Sequence, residues 1–278
     1  MLHKRAISIS KSMLRNTRKS RLLFITLCLS FLISGCTWLN ASLYYEGESG
    51  TRDTLPIELT ELIEMAEYCN EAYEDVDENY GVKSGEFSYS VKKNRGITII
   101  SFRGTANAKN FLSDIDLRPW KDDGLTEYYH GHDAGHGDVY LHRGFRDAAD
   151  FVLTDIKRNY KLEKTVYLTG HSLGGAIAQI IGLWLNNDGY NIQIYTFGSP
   201  KVSATFFGNR PIHYRVALRN DPVPFTPPYP FLHSGIYIDP ETLDWMEGGE
   251  TERDSFTEID GRDHSIQEYL DILREQNE

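Results

Sequence analysis

The chain has 278 residues, 40% of them hydrophobic and 25% charged, a composition that excludes a disordered or fibrous protein. Lys and Arg number 29 against 40 Asp and Glu, for a net charge of −11. Seven of the basic residues fall within the first 21 positions, which hold no acid, so the rest of the chain is more acidic still. That balance argues against nucleic acid as a ligand and against anionic surfaces as electrostatic targets.

The basic stretch runs into a mostly apolar segment, Leu22–Ile33, and then into Ser34-Gly35-Cys36. Basic, apolar and small-residue segments in that order read as a secretory signal. Its apolar run is shorter than the roughly 20 residues that span a bilayer. The cysteine directly after Ser-Gly resembles a bacterial lipobox, which implies cleavage before Cys36 and acylation of its thiol. Residues 1–35 are then a lipoprotein signal peptide, 36–56 the lipidated cysteine with a Ser-, Gly-, Thr- and Glu-rich tether, and 57–278 the folded domain. Met13 is an alternative start. The expected location is a bacterial cell envelope, with membrane contact through the lipid. Thr37, where an aspartate would favour inner-membrane retention, favours the outer membrane of a two-membrane cell. Cys28 would be removed and Cys36 modified, which leaves Cys69 without a disulfide partner and in the role of a small buried hydrophobe.

Beyond the tether, Leu55–Tyr73 places Leu59, Leu62, Ile63, Ala66 and Cys69 at helical spacing. Phe87–Val91 and Ile97–Phe102 predict two strands joined by a turn at Asn94-Arg95-Gly96. A short helix is expected over Ala108–Leu117 and a long polar loop over Arg118–Asp138. Gly144–Tyr160 predicts a helix with Phe145, Ala148, Ala149, Val152 and Ile156 on one face. Strands follow at Thr165–Leu168, Ile192–Phe197, Ile212–Ala217 and Phe231–Ile238. A proline-rich loop, Asp221–Pro230, lies between the last two. Glu241–Arg262 is acidic and irregular, and Ser265–Leu273 predicts a terminal helix. Strands alternating with helices indicate an α/β fold with a mostly parallel central sheet and helices on both faces.

Gly170-His171-Ser172-Leu173-Gly174 is the most informative stretch. An apolar strand leads into this G-x-S-x-G pentapeptide, and a small-residue helix beginning Gly175-Ala176-Ile177-Ala178 follows, with glycines that allow close packing. The arrangement is that of a nucleophile elbow, with the Ser172 hydroxyl at the end of a strand and a helix N-terminus just behind it. A serine needs a general base, usually His, oriented by a carboxylate. On an α/β-hydrolase fold the chain order is serine, acid, histidine. Asp221, in Asn220-Asp221-Pro222-Val223-Pro224 after a strand, fits the acid, with Asp239 as competitor. His264, at the start of the terminal helix, fits the base. His233 also obeys the order, but it lies in an apolar strand where a structural hydrogen bond suits it better. An oxyanion hole needs amide donors. The Leu173 N–H is one, and Thr105 can add a second amide and its hydroxyl from the exit of the Ile97–Phe102 strand.

These segments resemble the class 3 lipases, related to the secreted fungal triacylglycerol lipases. The resemblance is carried in order by Phe102-Arg103-Gly104-Thr105, Asn110–Asp114, His142-Arg143-Gly144-Phe145, Gly170–Gly175, Phe197-Gly198-Ser199-Pro200, Asn220–Pro224 and Asp263-His264-Ser265, and it covers about residues 58–275. It implies an α/β-hydrolase that cleaves carboxylic esters of lipids through an acyl-enzyme. Ser172, Asp221 and His264 would be the triad, and Thr105 with Leu173 the oxyanion hole. His142 would be structural. No cofactor, metal or obligate protein partner is required. A short-chain or feruloyl-type esterase is the alternative within the class, and a non-catalytic envelope-binding lipoprotein the alternative outside it. The span Arg118–Asp138 offers only Trp120, Leu125, Tyr128 and Tyr129 as an apolar face, which predicts a weak lid or none. His130, His132, Asp133, His136 and Asp138 lie there too, on glycine-rich spacing that makes no rigid metal-ligand face.

Overall fold

Alternation along the strands decides the layering. Ile100, Val166, Leu168, Ile192 and Ile194 face one side of a sheet, and Ile99, Tyr195, Phe197, Tyr214 and Val216 face the other. A sheet buried on both faces needs helices on both. The computed structural model describes residues 47–74, 87–104, 118–132, 137–248 and 264–278. Cys36, Thr105, the expected helix at Ala108–Leu117 and most of the acidic stretch lie outside the described residues.

The elements in chain order are β1 (Ser49–Gly50), α1 (Leu59–Glu74), β2 (Tyr89–Asn94), β3 (Ile97–Phe102), β4 (Pro119–Lys121), α2 (Asp123–His132), β5 (Tyr140–His142) and α3 (Arg143–Asn159). Then come β6 (Thr165–His171), α4 (Leu173–Asn187), β7 (Asn191–Phe197), β8 (Ile212–Val216), β9 (Ile236–Ile238), β10 (Trp245–Glu247) and α5 (Ile266–Glu275). Eight strands form one sheet in the order β1-β10-β9-β8-β7-β6-β3-β2. Its centre, β3 through β9, is parallel, and both ends are antiparallel. The β2–β3 hairpin closes through Arg95 and Gly96, both at positive φ (48° and 81°), as a two-residue hairpin turn requires.

Helices α3 and α4 cover one face. Helix α3 turns Phe145, Ala148, Ala149, Val152, Leu153 and Ile156 inward, the face expected from its spacing. Helices α1 and α5 pack together on the other face, where Leu62, Met65, Ala66 and Cys69 meet Tyr269, Leu270 and Leu273. Cys69 is fully buried, and burial pushes its thiol well above the ordinary range. The α/β-hydrolase architecture is the one expected.

Four segments differ from the sequence-based expectation. Residues read as tether join the fold: Ser49 and Gly50 pair with Met246 and Trp245, and the Arg52 guanidinium donates to the Gln276 carbonyl at 2.5 Å. The folded body begins at Gly47, ahead of the boundary at 57. The span 118–138, read as a polar loop, carries β4 and α2. Asp122 caps that helix by accepting from the Leu125 N–H at 2.9 Å. Leu125 and Tyr129 enter the core, Tyr129 beside Phe207, and Asp122 accepts from the Trp184 indole of α4. Helix α2 is therefore a docked part of the core. The strand expected over Phe231–Ile238 is confined to β9, with Leu232 making only an isolated bridge to Ser203. Finally, β10 lies at the start of the stretch read as irregular.

Candidate active site

The parallel strands deliver their C-terminal ends to one edge, where ligands bind in open α/β sheets. Strand β6 ends in His171, and Ser172 makes the turn into α4 with φ 57° and ψ −130°. A non-glycine residue held there stores strain of about 1–3 kcal/mol, which the surrounding structure must support. The Ser172 N–H donates to the Phe197 carbonyl at 3.0 Å, and the Ser172 carbonyl accepts from Gly175 and Ala176. The glycines are needed: a Cβ on Gly170 would strike the Gly174 backbone, and one on Gly174 the Phe102 carbonyl. Leu173 opens α4, so the helix itself provides no acceptor for its N–H. That amide meets the requirement for an oxyanion donor. Thr105, the expected second donor, lies outside the described residues.

Asp221 follows β8 and is fully buried. Its Oδ1 accepts from the Val223 N–H at 2.9 Å, locking the turn before the short 3-10 segment Val223–Phe225. Its Oδ2 faces His264 Nδ1 at 2.7 Å and accepts from the Tyr269 hydroxyl at 2.7 Å. The Tyr269 oxygen in turn accepts from the Leu218 N–H at 3.1 Å. Burial, with the Asp221 charge second, holds the Tyr269 hydroxyl well above its ordinary range, so it remains a donor.

His264 sits just before the Ser265 cap of α5, one turn ahead of Tyr269. Its Nε2 lies 2.8 Å from Ser172 Oγ. A carboxylate only accepts, so the ring proton belongs on Nδ1, and Nε2 is left to accept from the serine hydroxyl. Gly198, at φ 55°, leaves the room this requires: a Cβ there would stand 2.5 Å from Asp221 Oδ2 and 3.2 Å from His264 Cε1. The His264 side chain is 12% exposed, enough for one edge of the ring to be reached from outside.

The structure thus brings Ser172, His264 and Asp221 together and keeps the competitors apart. His233 Nε2 donates to the Pro224 carbonyl at 2.6 Å, the structural role expected of it. Asp239 is buried and pairs with Arg219 at 2.9 Å. His142 caps α3, its Nδ1 accepting from the Phe145 N–H, and stacks on the Phe145 ring. Asp138 pairs with Lys121 at 3.1 Å, and among the described residues no group of His, Cys, Asp and Glu forms a metal site. Sequence reasoning assigned no role to Tyr269 or to Tyr73, whose hydroxyl lies 2.8 Å from His171 Nδ1. The aromatic at Tyr269, on the helix that follows His264, is the one available signal for the first of these.

Residues 99–231 match the family described as Lipase (class 3). The secreted mono- and diacylglycerol lipase 1 of Fusarium solani is 33% identical over 186 residues, which cover 63% of this chain and 51% of that protein. A lipase of Rhizomucor miehei is 30% identical over 155 residues, 49% of this chain and 39% of its own length. The chain therefore spans about half the length of the first and less of the second. Among solved structures, lipase II from Rhizopus niveus superposes with a TM-score of 0.52 at 20% identity, over 75% of this chain and 94% of that one. The last likeness is one of fold.

Proposed function

We propose that the chain, whose residues 99–231 match the class 3 lipase family, is a serine carboxylic-ester hydrolase acting on acyl esters of lipids. The observation that carries the reading is the unbroken chain from Ser172 Oγ through His264 to Asp221 Oδ2, at 2.8 and 2.7 Å. His264 Nε2 takes the hydroxyl proton as Ser172 Oγ attacks the acyl carbonyl. The C–O bond to the leaving alcohol then breaks, with His264 returning the proton to that alcohol, and the acyl group stays on Ser172. Water attacks the acyl-enzyme by the same route and releases the acid. Asp221 holds the imidazole in the required tautomer and offsets its transient charge. The Leu173 N–H, with Thr105 as second donor, receives the developing oxyanion at the positive end of α4. Strain at Ser172 and burial of Asp221 fit a site whose groups are fixed before substrate arrives.

Lipid as substrate is supported by the relatives' activities and by the reading of Cys36 as an acylated residue. Such an anchor would hold the domain against an envelope membrane, the outer one where there are two. Hydrolysis of p-nitrophenyl esters from acetate to palmitate, by residues 37–278 with Ser172→Ala as control, tests the proposal. Activity lost in the variant, with an optimum at long chains, is the expected result. An optimum at acetate would favour the short-chain or feruloyl-type esterase. Failure of a fluorophosphonate to label Ser172 would instead favour a binding protein built on the same fold. Metabolic labelling with an alkyne fatty acid, lost in Cys36→Ser, tests the anchor.

A further inference from the structure

A second hydrogen-bonded pair lies behind the proposed triad. Tyr73, at the end of α1, reaches across to the C-terminal edge of the sheet. Its oxygen accepts from the Gly104 N–H at 2.9 Å and lies 2.8 Å from His171 Nδ1. The Tyr73 oxygen and His171 Nδ1 share one hydrogen bond, whose proton sits on either partner according to the ring's tautomer. Gly104 closes the exit of β3 and immediately precedes Thr105. It packs tightly on the elbow: a Cβ there would stand 2.7 Å from the His171 carbonyl oxygen and 2.9 Å from Ser172 Cβ. The His171 ring lies against His264, with centroids 4.5 Å apart and planes tilted by 33°. Tyr269 meets His171 edge-on from another side. One hydroxyl therefore ties the strand exit, the elbow and the neighbour of the base together.

We propose that Tyr73 and His171 are positioning residues for the hydrolase reaction, an uncharged pair that fixes the oxyanion-side strand exit against the nucleophile and supports one face of the His264 ring. The inference rests on the ester-hydrolase reading. Neither residue exchanges a proton with substrate. Tyr73 holds the Arg103–Gly104 peptide, and with it the exit of β3 beside the nucleophile elbow. His171 gives His264 a neutral aromatic wall along which the ring stays aligned between Asp221 and Ser172. Neutrality matters because His264 becomes an imidazolium during the reaction, and a second cation 4.5 Å away would oppose it. Burial, with repulsion from His264 second, holds His171 well below the ordinary histidine range.

The test is kcat and KM per active site, with sites counted by fluorophosphonate labelling so that unfolded protein does not enter the rate. In Tyr73→Phe the ring remains and the hydroxyl is lost. Displacement at the reacting centre by a fraction of an ångström to 1 Å lowers rates by about 10–100-fold, so kcat should fall in that range with KM within about twofold. His171→Leu should fall similarly. His171→Asn, whose side-chain amide can take the place of Nδ1 toward the Tyr73 hydroxyl, should recover to within a few-fold of the parent. A purely structural role predicts lower thermal stability with kcat per labelled site unchanged in Tyr73→Phe, and no advantage of Asn over Leu at position 171. Either of those results overturns the proposal. A parent protein that neither hydrolyses esters nor takes the label would overturn the hydrolase reading itself, a different outcome from an active parent with an equally active Tyr73→Phe.

Discussion

Two of the regions that bury histidines among the described residues differ in kind, and only one is arranged to move a proton. At the C-terminal edge, the hydrogen bonds of His264 end on an alcohol and on a carboxylate. Along the seam of β7, β8 and β9 the partners are fixed. His213 Nε2 meets the Thr196 hydroxyl at 2.9 Å, and His233 donates to a backbone carbonyl. The fully buried Arg215 guanidinium lies over the Tyr237 ring at 5.2 Å. Burial, with the Arg215 charge second, pulls His213 down to about 3 and His233 well below its ordinary range. A buried histidine is thus not in itself a sign of catalysis. What separates the regions is whether the hydrogen-bond chain ends on groups that can exchange protons with a substrate.

The largest expected effect breaks the chain at the edge. Ser172→Ala or His264→Gln should lower ester hydrolysis by about 10⁴–10⁶-fold. His233→Gln should leave kcat per labelled site within about threefold, because its bond to Pro224 can be lost without touching the reacting groups. Loss of turnover in His233→Gln comparable to that in His264→Gln would erase the distinction.

The buried neutral histidines, those of the seam and His171 at the edge, should appear instead in the acid stability of the protein. His171, His213 and His233 all have depressed values in the folded state. Each therefore contributes stability that is fully present above the unfolded value of about 6.5 and declines as pH falls below it. For His213 the decline ends near its folded value of about 3. Below about pH 5.5 these three groups take up protons on unfolding, for a loss of about 4 kcal/mol per pH unit. Urea midpoints measured between pH 7.5 and 5 would show the slope. His213→Leu should make it shallower by about a third, and an unchanged slope would mean that His213 is charged where it sits.

A core site distant in role from both regions should cost stability alone. Leu125→Ala, in α2, should destabilise by about 2–5 kcal/mol in urea denaturation with turnover per labelled site unchanged. A shifted chain-length preference would mean that α2 helps shape the substrate site.

That helix also shows what the sequence leaves hidden. The elbow was legible because strand, tight turn and helix each leave a local pattern, and because the chain order of serine, acid and histidine is fixed by the fold. Asp221 and His264 followed from that order, with His233 set aside by context. Asp239 remains a competitor on sequence alone and is excluded by its pairing with Arg219. Helix α2 was not legible: Gly124 and Gly131 weaken its propensity, and its buried positions are few. Asp122 three residues before Leu125 was the cap signal available. The strands β1 and β10 are two and three residues long and exist through pairing at the sheet edge, which no local periodicity records. Tyr73 was invisible, and Tyr269 signalled only by an aromatic on the helix after His264, for a related reason. Their functions depend on where a hydroxyl arrives after two helices pack, not on their neighbours in sequence.

A moderate effect on turnover is expected where two buried carboxylates are compared. Asp221 and Asp239 both follow parallel strands, both are nearly inaccessible, and each holds a turn through an oxygen that accepts from the amide two residues on. They differ in what meets the other oxygen: His264 and Tyr269 for Asp221, and Arg219 for Asp239. Tyr269→Phe removes one of the donors that hold Asp221 Oδ2 and leaves the buried Leu218 N–H without its acceptor. The lost amide partner should cost about 1–3 kcal/mol of stability. The carboxylate keeps its bonds to Val223 and His264 but gains freedom to turn, and kcat should fall about tenfold with KM little changed. Asp239→Asn loses its charge opposite Arg219 and should leave kcat within about twofold, since no bond from that pair reaches His264. Equal losses of kcat in the two variants would mean that turnover depends on the rigidity of this whole end of the sheet. A loss confined to Tyr269→Phe would locate the dependence in the donors around Asp221.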